Sequence, residues 1–427
     1  MKEILPESKL YYRKNELTWG NIPLNQKMGQ LPTPCYLYNA QVLKQNFSKF
    51  LDAAQKHNIP NPLVCYALKA NANPTLLSLL ASSGAGADIV SGGELKRAHM
   101  AGIPAEKIVF SGVGKTESEI DLALLSGEKG ILAFNVESIE ELELISQRAQ
   151  EHGRIANVSL RFNPEVMAKT HKNISTGHRT HKFGIIKKDL LNLVSHKKCW
   201  KNLNFQGLSV HIGSQLLDFE ATKMAVAKTC KLLKAINLPI RLLDVGGGLG
   251  MDYSPLDRKK LKNSDRLNTY MSVISREIHD HLIGKVELSP DFQVVFEPGR
   301  FIVARSGIFL SKVLRTKDSG INHFVIVDGG MNDFARTSLY GAYHELLPLK
   351  PRPGKERKTT VVGPICETTD CFASGRKLTP LRKNDFIAVA DTGAYGFSMS
   401  SRYNLRELPS EFMISEDGHI RDITYHL

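Results

Sequence analysis

Apolar residues in the first three hundred positions form short runs separated by more polar, helix-like segments. Eight runs rich in β-forming residues are Leu63–Leu68, Ala87–Val90, Lys107–Phe110, Ile131–Asn135, Val158–Phe162, Leu208–Ile212, Arg241–Val245 and Val294–Glu297. The intervening helix-like segments include Pro74–Ser83, Gly93–Ala101, Ser138–Glu151, Phe219–Ile236 and Arg266–Leu282. Apolar strands that alternate with helices are typical of a parallel sheet covered by helices. Eight such units predict an α/β fold with a closed, TIM-like (β/α)8 barrel, and a doubly wound open sheet is the alternative.

The pattern changes after about residue 300, where strand-like runs are separated by turns. These runs are Gly307–Val313, Phe324–Asp328, Thr359–Val362, Phe386–Ala390, Glu411–Ser415 and Ile420–Tyr425. They predict a C-terminal β-sandwich or β-barrel domain. The strand-like segment Pro34–Tyr38 precedes the barrel, so we expect the N-terminal segment to pair into this β-domain. The predicted division is an N-terminal segment at residues 1–38, a barrel at 39–304 and a β-domain at 305–427.

Composition limits the classes of protein that fit. The 427 residues are 42% hydrophobic and 23% charged, as in an ordinary globular protein with two domains. No apolar stretch approaches the ~18 residues of a membrane span, and Met1–Tyr12 lacks a signal-type apolar run, so we expect a cytoplasmic protein. The six cysteines are scattered without a CxxC pair, which favours free thiols and disfavours a structural metal site.

The net charge of +13 raises the question of a nucleic-acid partner. Basic residues cluster between Lys169 and Lys201, where Asp189 is the one acid, and again at Lys350–Lys358. Neither cluster is joined to a recognisable nucleic-acid motif. We therefore interpret both as solvated basic loops and expect no nucleic-acid partner.

Ionisable and glycine-rich residues follow the ends of the predicted barrel strands. In this fold the C-terminal ends of the strands form one rim, and active sites lie there. The residues in question are Lys69, Asp88, Arg161, His211, Ser214, Gly246, Gly247, Gly248, Glu297, Gly299 and Arg300.

Several of these residues have a chemical interpretation beside an ordinary one. Lys69 could be a surface residue, but partial desolvation lowers a lysine pKa and makes the amine a nucleophile for Schiff-base chemistry. Three successive glycines could form a tight turn, or they could expose backbone N–H groups to an anion. Glu297 and Arg300 could simply pair across a turn. Together, a lysine, a phosphate cradle, the His211 ring and a carboxylate are typical of a pyridoxal-phosphate site.

Motifs along the chain support this interpretation. They are TPCYLY (33–38), YALKAN (66–71), GADIVSGGEL (86–95), HKFGI (181–185), HIGSQ (211–215), DVGGGLG (244–250), EPGR (297–300), GPICETTD (363–370) and TGAYGFSMSSRYN (392–404). Through these motifs the chain resembles the group IV, alanine-racemase-fold pyridoxal-phosphate decarboxylases, from Pro34 to about Asn404. The fold that the resemblance implies is a barrel followed by a β-domain, in agreement with the hydrophobic pattern.

The resemblance implies a role for each matching residue at the cofactor, pyridoxal 5'-phosphate. Lys69 would bind it covalently, His211 would stack on its pyridine ring and Glu297 would pair with the ring nitrogen. Asp88 and Arg161 are also expected at the cofactor. The expected phosphate ligands are Ser214, Gly246, Gly247, Gly248, Gly299, Arg300 and Tyr395.

The resemblance also implies a homodimer with shared active sites and a diamino-acid substrate that carries a second, distal carboxylate. Arg300, Arg336 and Tyr340 would receive that carboxylate, and Tyr395 would also contact the substrate. Cys366 and Glu367 would come from the partner subunit. Cys366 would be the proton donor, so the resemblance implies that Lys69 and Cys366 are the catalytic residues. Glu367 would be the ligand of the distal amine.

Some positions depart from the family pattern, and alternatives stay open. Phe301, Phe397 and Arg402 stand where smaller or neutral residues are common, which leaves the size and charge of the site open. A decarboxylase of ornithine, lysine, arginine or carboxynorspermidine would share the fold. A non-catalytic homologue would lose Lys69, Cys366 or the phosphate loop. A racemase would need a base on each face of the cofactor ring.

Overall fold

The structure is a computed structural model that describes residues 2–167, 182–196, 200–255 and 263–425. Most of the basic cluster between residues 169 and 201, the first residue of HKFGI and the cysteine at position 199 lie outside the described residues.

The chain divides into two compact units. One contains Met1–Asn46, Tyr253–Arg258 and Ile302–Leu427, and the other contains Phe47–Asp252 and Lys259–Phe301. The domain boundaries after residues 38 and 304 stay a prediction. None of the described helices combines the length and the apolar character that a membrane crossing needs.

The N-terminal segment forms a small antiparallel sheet that the hydrophobic pattern did not indicate. Its strands are β1 (Lys2–Leu5), β2 (Leu10–Arg13), β3 (Glu16–Trp19) and β4 (Ile22–Pro23), followed by α1 (Leu24–Lys27), β5 (Cys35–Asn39) and α2 (Ala40–Lys56). Strands of two to four residues are too short for alternation to be detected in a sequence. Trp19 is buried, and its indole N–H donates to the carbonyl of Ser8 at 2.6 Å.

Within the described residues, eight parallel strands close into a barrel, which confirms the fold prediction and excludes the open sheet. They are β6 (Pro62–Ala67), β7 (Gly86–Ile89), β8 (Ile108–Phe110), β9 (Ala133–Val136), β10 (Ala156–Arg161), β11 (Leu203–Ser209), β12 (Ile240–Asp244) and β13 (Leu288–Phe296). The accompanying helices are α3 (Pro74–Ser82), α4 (Gly92–Met100), α5 (Glu117–Leu124), α6 (Ile139–Glu151), α7 (Lys187–Ser195), α8 (Glu220–Ile236), α9 (Asn263–His281) and α10 (Arg300–Val303). Each predicted run overlaps one strand.

Short polar side chains begin several of these helices close after a strand. Asn73 before α3, Ser91 before α4 and Ser138 before α6 each accept a backbone N–H from the first helical turn. An acceptor at this position satisfies an N–H that has no partner inside the helix. These caps turn the chain from strand to helix within a few residues, so the residues between them stay on the rim of the barrel.

The other unit contains a mixed, nine-stranded sheet. Besides β5, its strands are β14 (Gly307–Ser319), β15 (Asn322–Val327), β16 (Leu346–Pro348), β17 (Arg357–Val362), β18 (Cys371–Leu378), β19 (Phe386–Val389), β20 (Ser410–Ile414) and β21 (Ile420–Asp422), with helix α11 (Arg336–Tyr340) between β15 and β16. Strand β5 pairs with β14 and β20, so the predicted pairing of the N-terminal segment is confirmed. Leu10 and Trp19 share a core with Ile308, Leu310 and Phe412, so the small sheet packs on the large one.

Candidate active site

A cavity of about 320 Å³ opens among the C-terminal ends of the barrel strands. Of the predicted site residues, Lys69, Arg161, His211 and Glu297 line it. It is also lined by residues for which no role was predicted, among them Ser111, Asn135, Phe183 and Asp244.

Lys69 lies just after β6 in a short helical turn and is paired with a buried acid. Its Nζ donates to Oδ2 of Asp88 at 2.5 Å. The carboxyl of Asp88 is fully buried, whereas 36% of the Lys69 side chain is exposed. The second carboxyl oxygen of Asp88 has no hydrogen-bond partner among the described residues. The pair holds the lysine amine at the cavity and leaves an acceptor for a further donor.

Two buried carboxyl groups, those of Glu297 and Asp244, lie side by side at the cavity. Burial raises the pKa of Asp244 to about 6. Burial, together with the neighbouring Asp244, raises the pKa of Glu297 well above its usual range. The amide of Asn135 donates to both, at 2.9 Å to Asp244 and 3.2 Å to Glu297, and the hydroxyl of Ser111 donates to Glu297 at 3.2 Å. Such a pair can hold one proton between two acids or balance a cation.

The imidazole of His211 is fixed as a neutral ring. Its Nδ1 accepts the backbone N–H of Gly247 at 3.1 Å, so the ring proton is on Nε2. Burial lowers the pKa of His211 well below its usual value, and the cations Arg161 and Lys69 lower it further. A neutral ring at the cavity wall is suited to stacking on a flat ligand.

The glycine-rich loop after β12 packs tightly against neighbouring backbone. A Cβ on Gly247 would lie 2.1 Å from the carbonyl oxygen of Glu297, and one on Gly248 would lie 2.3 Å from that of Gly213. Gly248 also has φ +100°, which L side chains rarely adopt. The N–H groups of Gly246 and Gly247 donate to Asp244 and His211 respectively. Two of the three predicted phosphate donors, the N–H groups of Gly246 and Gly247, therefore bond within the protein and fix the loop.

Gln215, whose role the sequence did not predict, clamps two loops of the rim together. Its amide donates to the carbonyl of Met251 at 2.5 Å and accepts the N–H of Met251 at 3.2 Å. Beside it, the hydroxyl of Ser214 accepts from the guanidinium of Arg300 at 3.4 Å. The loops after β11, β12 and β13 thus meet at Ser214 and Gln215, which brings the predicted phosphate ligands of the barrel together.

Arg161 is held by an acid that the motif comparison did not single out. Its guanidinium is ion-paired with the buried carboxylate of Glu137 and lies 4.8 Å from the ring of Phe183. The other carboxylate oxygen of Glu137 accepts the N–H of Gly184 at 2.8 Å. Glu137 and Asn135 both lie at the end of β9, so applying the rim argument to every strand would have found them.

The remaining predicted residues belong to the unit with the nine-stranded sheet. Arg336 begins α11 and is buried, and Tyr340 at its end is half-buried. Tyr395 is half-buried and has a φ of +54°. Cys366 and Glu367 lie together in an exposed loop.

Two of the three residues that depart from the family pattern are packed against other side chains. The ring of Phe301 lies 5.7 Å from that of Phe50, and the ring of Phe397 lies 6.1 Å from that of Tyr36. Arg402 is exposed. Phe301 therefore contributes to packing within the barrel unit.

The residues at the barrel rim fit pyridoxal phosphate. The cavity offers an amine at Lys69, a flat neutral ring at His211 and a buried carboxyl at Glu297 for a ring nitrogen, and the glycine-rich loop follows Asp244, which also lines the cavity. A (β/α)8 barrel with these groups at its rim defines a pyridoxal-phosphate enzyme of the alanine-racemase fold. The profile of the pyridoxal-dependent decarboxylases, pyridoxal binding domain, matches residues 45–304, and the chain belongs to this family.

Within that family the chain is a member of the diaminopimelate decarboxylases. It is 38% identical over 424 residues to the diaminopimelate decarboxylase of Aquifex aeolicus, covering 98% of this chain and 96% of that protein. The solved structure of the Helicobacter pylori enzyme complexed with L-lysine is 40% identical, covers 94% of this chain and 96% of its own, and has a TM-score of 0.84. The M. jannaschii enzyme in complex with L-lysine is 32% identical, with 99% and 96% coverage and a TM-score of 0.89.

Proposed function

We propose that the protein is a pyridoxal-phosphate-dependent carboxy-lyase that converts meso-2,6-diaminopimelate to L-lysine and CO2, the last step of lysine biosynthesis. The observation that carries the proposal is the cavity that joins Lys69, His211 and Glu297 in a barrel of this family. The near full-length similarity to diaminopimelate decarboxylases, two of them solved with L-lysine bound, supports the choice of substrate.

The barrel residues bind and orient the cofactor in this proposal. Bound pyridoxal phosphate supplies an electron sink for the negative charge that loss of CO2 leaves on the substrate carbon. Lys69 would bind it covalently, and Asp88, which pairs with the amine of Lys69, would hold that side chain in place. His211 would stack on the ring and Glu297 would pair with the ring nitrogen, an interaction that burial away from water strengthens.

The remaining ligands hold the ends of the cofactor and of the substrate. Arg161 is held at the cavity by Glu137, where its charge is available to the cofactor. The proposed phosphate ligands are Ser214, Gly246, Gly247, Gly248, Gly299, Arg300 and Tyr395. The proposed ligands of the distal end of the substrate are Arg300, Arg336, Tyr340, Glu367 and Tyr395. Arginine suits a carboxylate because its planar group donates two parallel N–H bonds.

We further propose a homodimer in which Cys366 and Glu367 complete the active site of the second subunit. Cys366 is exposed, and two contacts join its loop to the segment at residues 403–404: the N–H of Cys366 donates to Asn404 at 3.3 Å, and the hydroxyl of Tyr403 donates to Glu367. Tyr403 is 46% exposed and Leu405, two residues further on, is 97% exposed, and a second copy would remove this apolar surface from water. Cys366 would return a proton to the substrate carbon.

We also propose that the enzyme works in the cytoplasm. The described cysteines are free, and free thiols, including the exposed Cys366, are usual in a reducing compartment.

The test of the proposed function is CO2 release from a panel of amino acids. We expect meso-diaminopimelate to be turned over, and ornithine, lysine, arginine and carboxynorspermidine to be poor substrates. A substrate without the distal carboxylate loses the charge-assisted hydrogen bonds that Arg300 and Arg336 would donate to it, which costs about 2–5 kcal/mol, or roughly 30- to several-thousand-fold in kcat/KM. Comparable turnover of lysine or ornithine would contradict the choice of substrate and leave the broader decarboxylase assignment.

One substitution tests the proposed substrate ligand Arg336 separately from the cofactor site. Arg336→Ala is expected to lower kcat/KM for meso-diaminopimelate within the same range while the absorbance of bound cofactor is unchanged. Arg357→Ala, at an exposed position of β17, is the matched control and is expected to behave like the wild type.

A further inference from the structure

A buried histidine with no assigned role lies beside Arg336. His344 follows α11 and is 1% exposed. Its ring centroid is 4.8 Å from that of Phe334, edge to face, and 4.8 Å from that of Tyr253. Two aromatic neighbours therefore restrain the position and tilt of the imidazole. An apolar side chain could fill the same space, but the imidazole ring also makes two polar contacts.

The hydrogen bonds of His344 determine which ring nitrogen carries the proton. Nδ1 lies 2.8 Å from the carbonyl oxygen of Ala390, which can only accept, so Nδ1 carries the hydrogen. In a neutral imidazole the other nitrogen, Nε2, is then an acceptor. The Nε–H of Arg336 donates to it at 3.4 Å. The hydrogen bond to the Ala390 carbonyl thus fixes the His344 ring, and the ring in turn fixes the guanidinium of Arg336.

Tyr253 restrains the same guanidinium from a second direction. The central carbon of the Arg336 guanidinium lies 5.0 Å from the centre of the Tyr253 ring, a cation–π distance. A guanidinium held at Nε and over one ring keeps a constant orientation, and its paired Nη donors match the geometry of a carboxylate. A long, flexible side chain that is ordered before the ligand arrives loses less freedom on binding.

We propose that His344 is a positioning residue that orients Arg336 for the distal carboxylate of the substrate. The inference rests on the proposed function, in which Arg336 binds that carboxylate. His344 touches neither substrate nor cofactor in this proposal, and its effect is specific to ligands that carry the carboxylate.

Two ligands that differ only in this group test the proposal on the holoenzyme. L-lysine, the proposed product, retains the distal carboxylate, and 1,5-diaminopentane is the same molecule without it. In His344→Asn the side-chain amide can still donate towards Ala390 but offers no acceptor to Arg336. Loss of a hydrogen bond to a charged group is worth about 1.4 kcal/mol, which is roughly tenfold in affinity. We expect L-lysine to bind roughly tenfold more weakly and 1,5-diaminopentane to bind as in the wild type, by titration of the cofactor absorbance.

A second variant keeps the test valid if His344→Asn folds poorly. His344→Gln can place an amide oxygen near the Nε2 position, so we expect part of the affinity for L-lysine to return. In turnover of meso-diaminopimelate, His344→Asn is expected to raise KM more than it lowers kcat. Equal weakening of both ligands by the Asn and Gln variants would overturn the proposal, because that result indicates general damage to the site.

Arg336→Ala distinguishes failure of this inference from failure of the proposed function. If Arg336→Ala does not weaken the binding of L-lysine more than that of 1,5-diaminopentane, Arg336 does not bind the carboxylate. Both the proposed role of Arg336 and the positioning role of His344 are then refuted. If Arg336→Ala discriminates between the ligands and His344→Asn does not, only the positioning role is refuted. When Arg336 is already absent, adding His344→Asn is expected to cause no further loss for L-lysine, and additive losses would contradict the proposal.

Discussion

Replacing Asp244 by asparagine tests the description of the buried carboxyl pair. Asp244 is fully buried, accepts the N–H of Gly246 at 2.8 Å and shares the amide of Asn135 with Glu297. Burial raises the pKa of Asp244 to about 6 from an ordinary value of 3.8. Asparagine has nearly the same shape but no titrating proton, so the substitution removes the cost of ionising this group together with the part of the Glu297 pKa shift that the Asp244 charge causes.

The direction of the effect follows from the raised pKa. The folded protein binds this proton more tightly than the unfolded chain does, so the free energy of unfolding falls as the pH rises from the unfolded pKa through about 6. The asparagine variant lacks that decline. Between pH 5 and pH 8 the raised pKa costs the wild type about 1.4 kcal/mol of unfolding free energy, which is the equivalent of a shift of one pKa unit. We therefore expect the free energy of unfolding of the variant, relative to the wild type, to rise by that amount over the same range.

The measurement is urea unfolding of the cofactor-free protein at pH 5, 6, 7 and 8. A constant offset from altered hydrogen bonds does not affect the result, because the prediction concerns the change with pH. Glu297→Gln is expected to change the pH dependence in the same direction, since burial and Asp244 raise the pKa of Glu297. Asp52→Asn, at an exposed position of α2, is the matched control. Parallel pH profiles for wild type and Asp244→Asn would refute the raised pKa.

Three further predictions concern the cofactor and the assembly. Borohydride reduction of the holoenzyme and peptide mapping should find the pyridoxyl group on the peptide that contains Lys69, and a label elsewhere contradicts the assignment. Lys69→Ala and Cys366→Ala should each be nearly inactive, yet subunit exchange between them should restore partial activity; no recovery despite proven exchange argues against a shared site. In Gln215→Asn, the asparagine can adopt the left-handed backbone of this position (φ +60°), but its side chain is too short to reach Met251. Loss of its two hydrogen bonds should weaken cofactor binding by roughly 10- to 30-fold in equilibrium dialysis, whereas the exposed Gln147→Asn should have no effect.

The sequence by itself determined the barrel and which residues stand at its rim. The apolar runs from Leu63 to Glu297 each overlap a barrel strand, and the side chains that follow them include Lys69, His211 and Glu297. This inference is possible without coordinates because all the strands are parallel. Their C-terminal ends lie on one side, so residues far apart in the chain converge wherever they follow a strand.

Only the tertiary structure decided which of these residues touch. The amide of Asn135 bonds to Asp244, 109 positions away, and Gln215 is paired with the backbone of Met251. Tyr253 belongs to the unit with the nine-stranded sheet, where it lies beside His344. A hydrogen bond requires a separation accurate to a few tenths of an ångström, and that depends on strand register, loop packing and burial across the whole fold. The raised pKa of Asp244 has the same origin, because burial is a property of everything that packs around a residue.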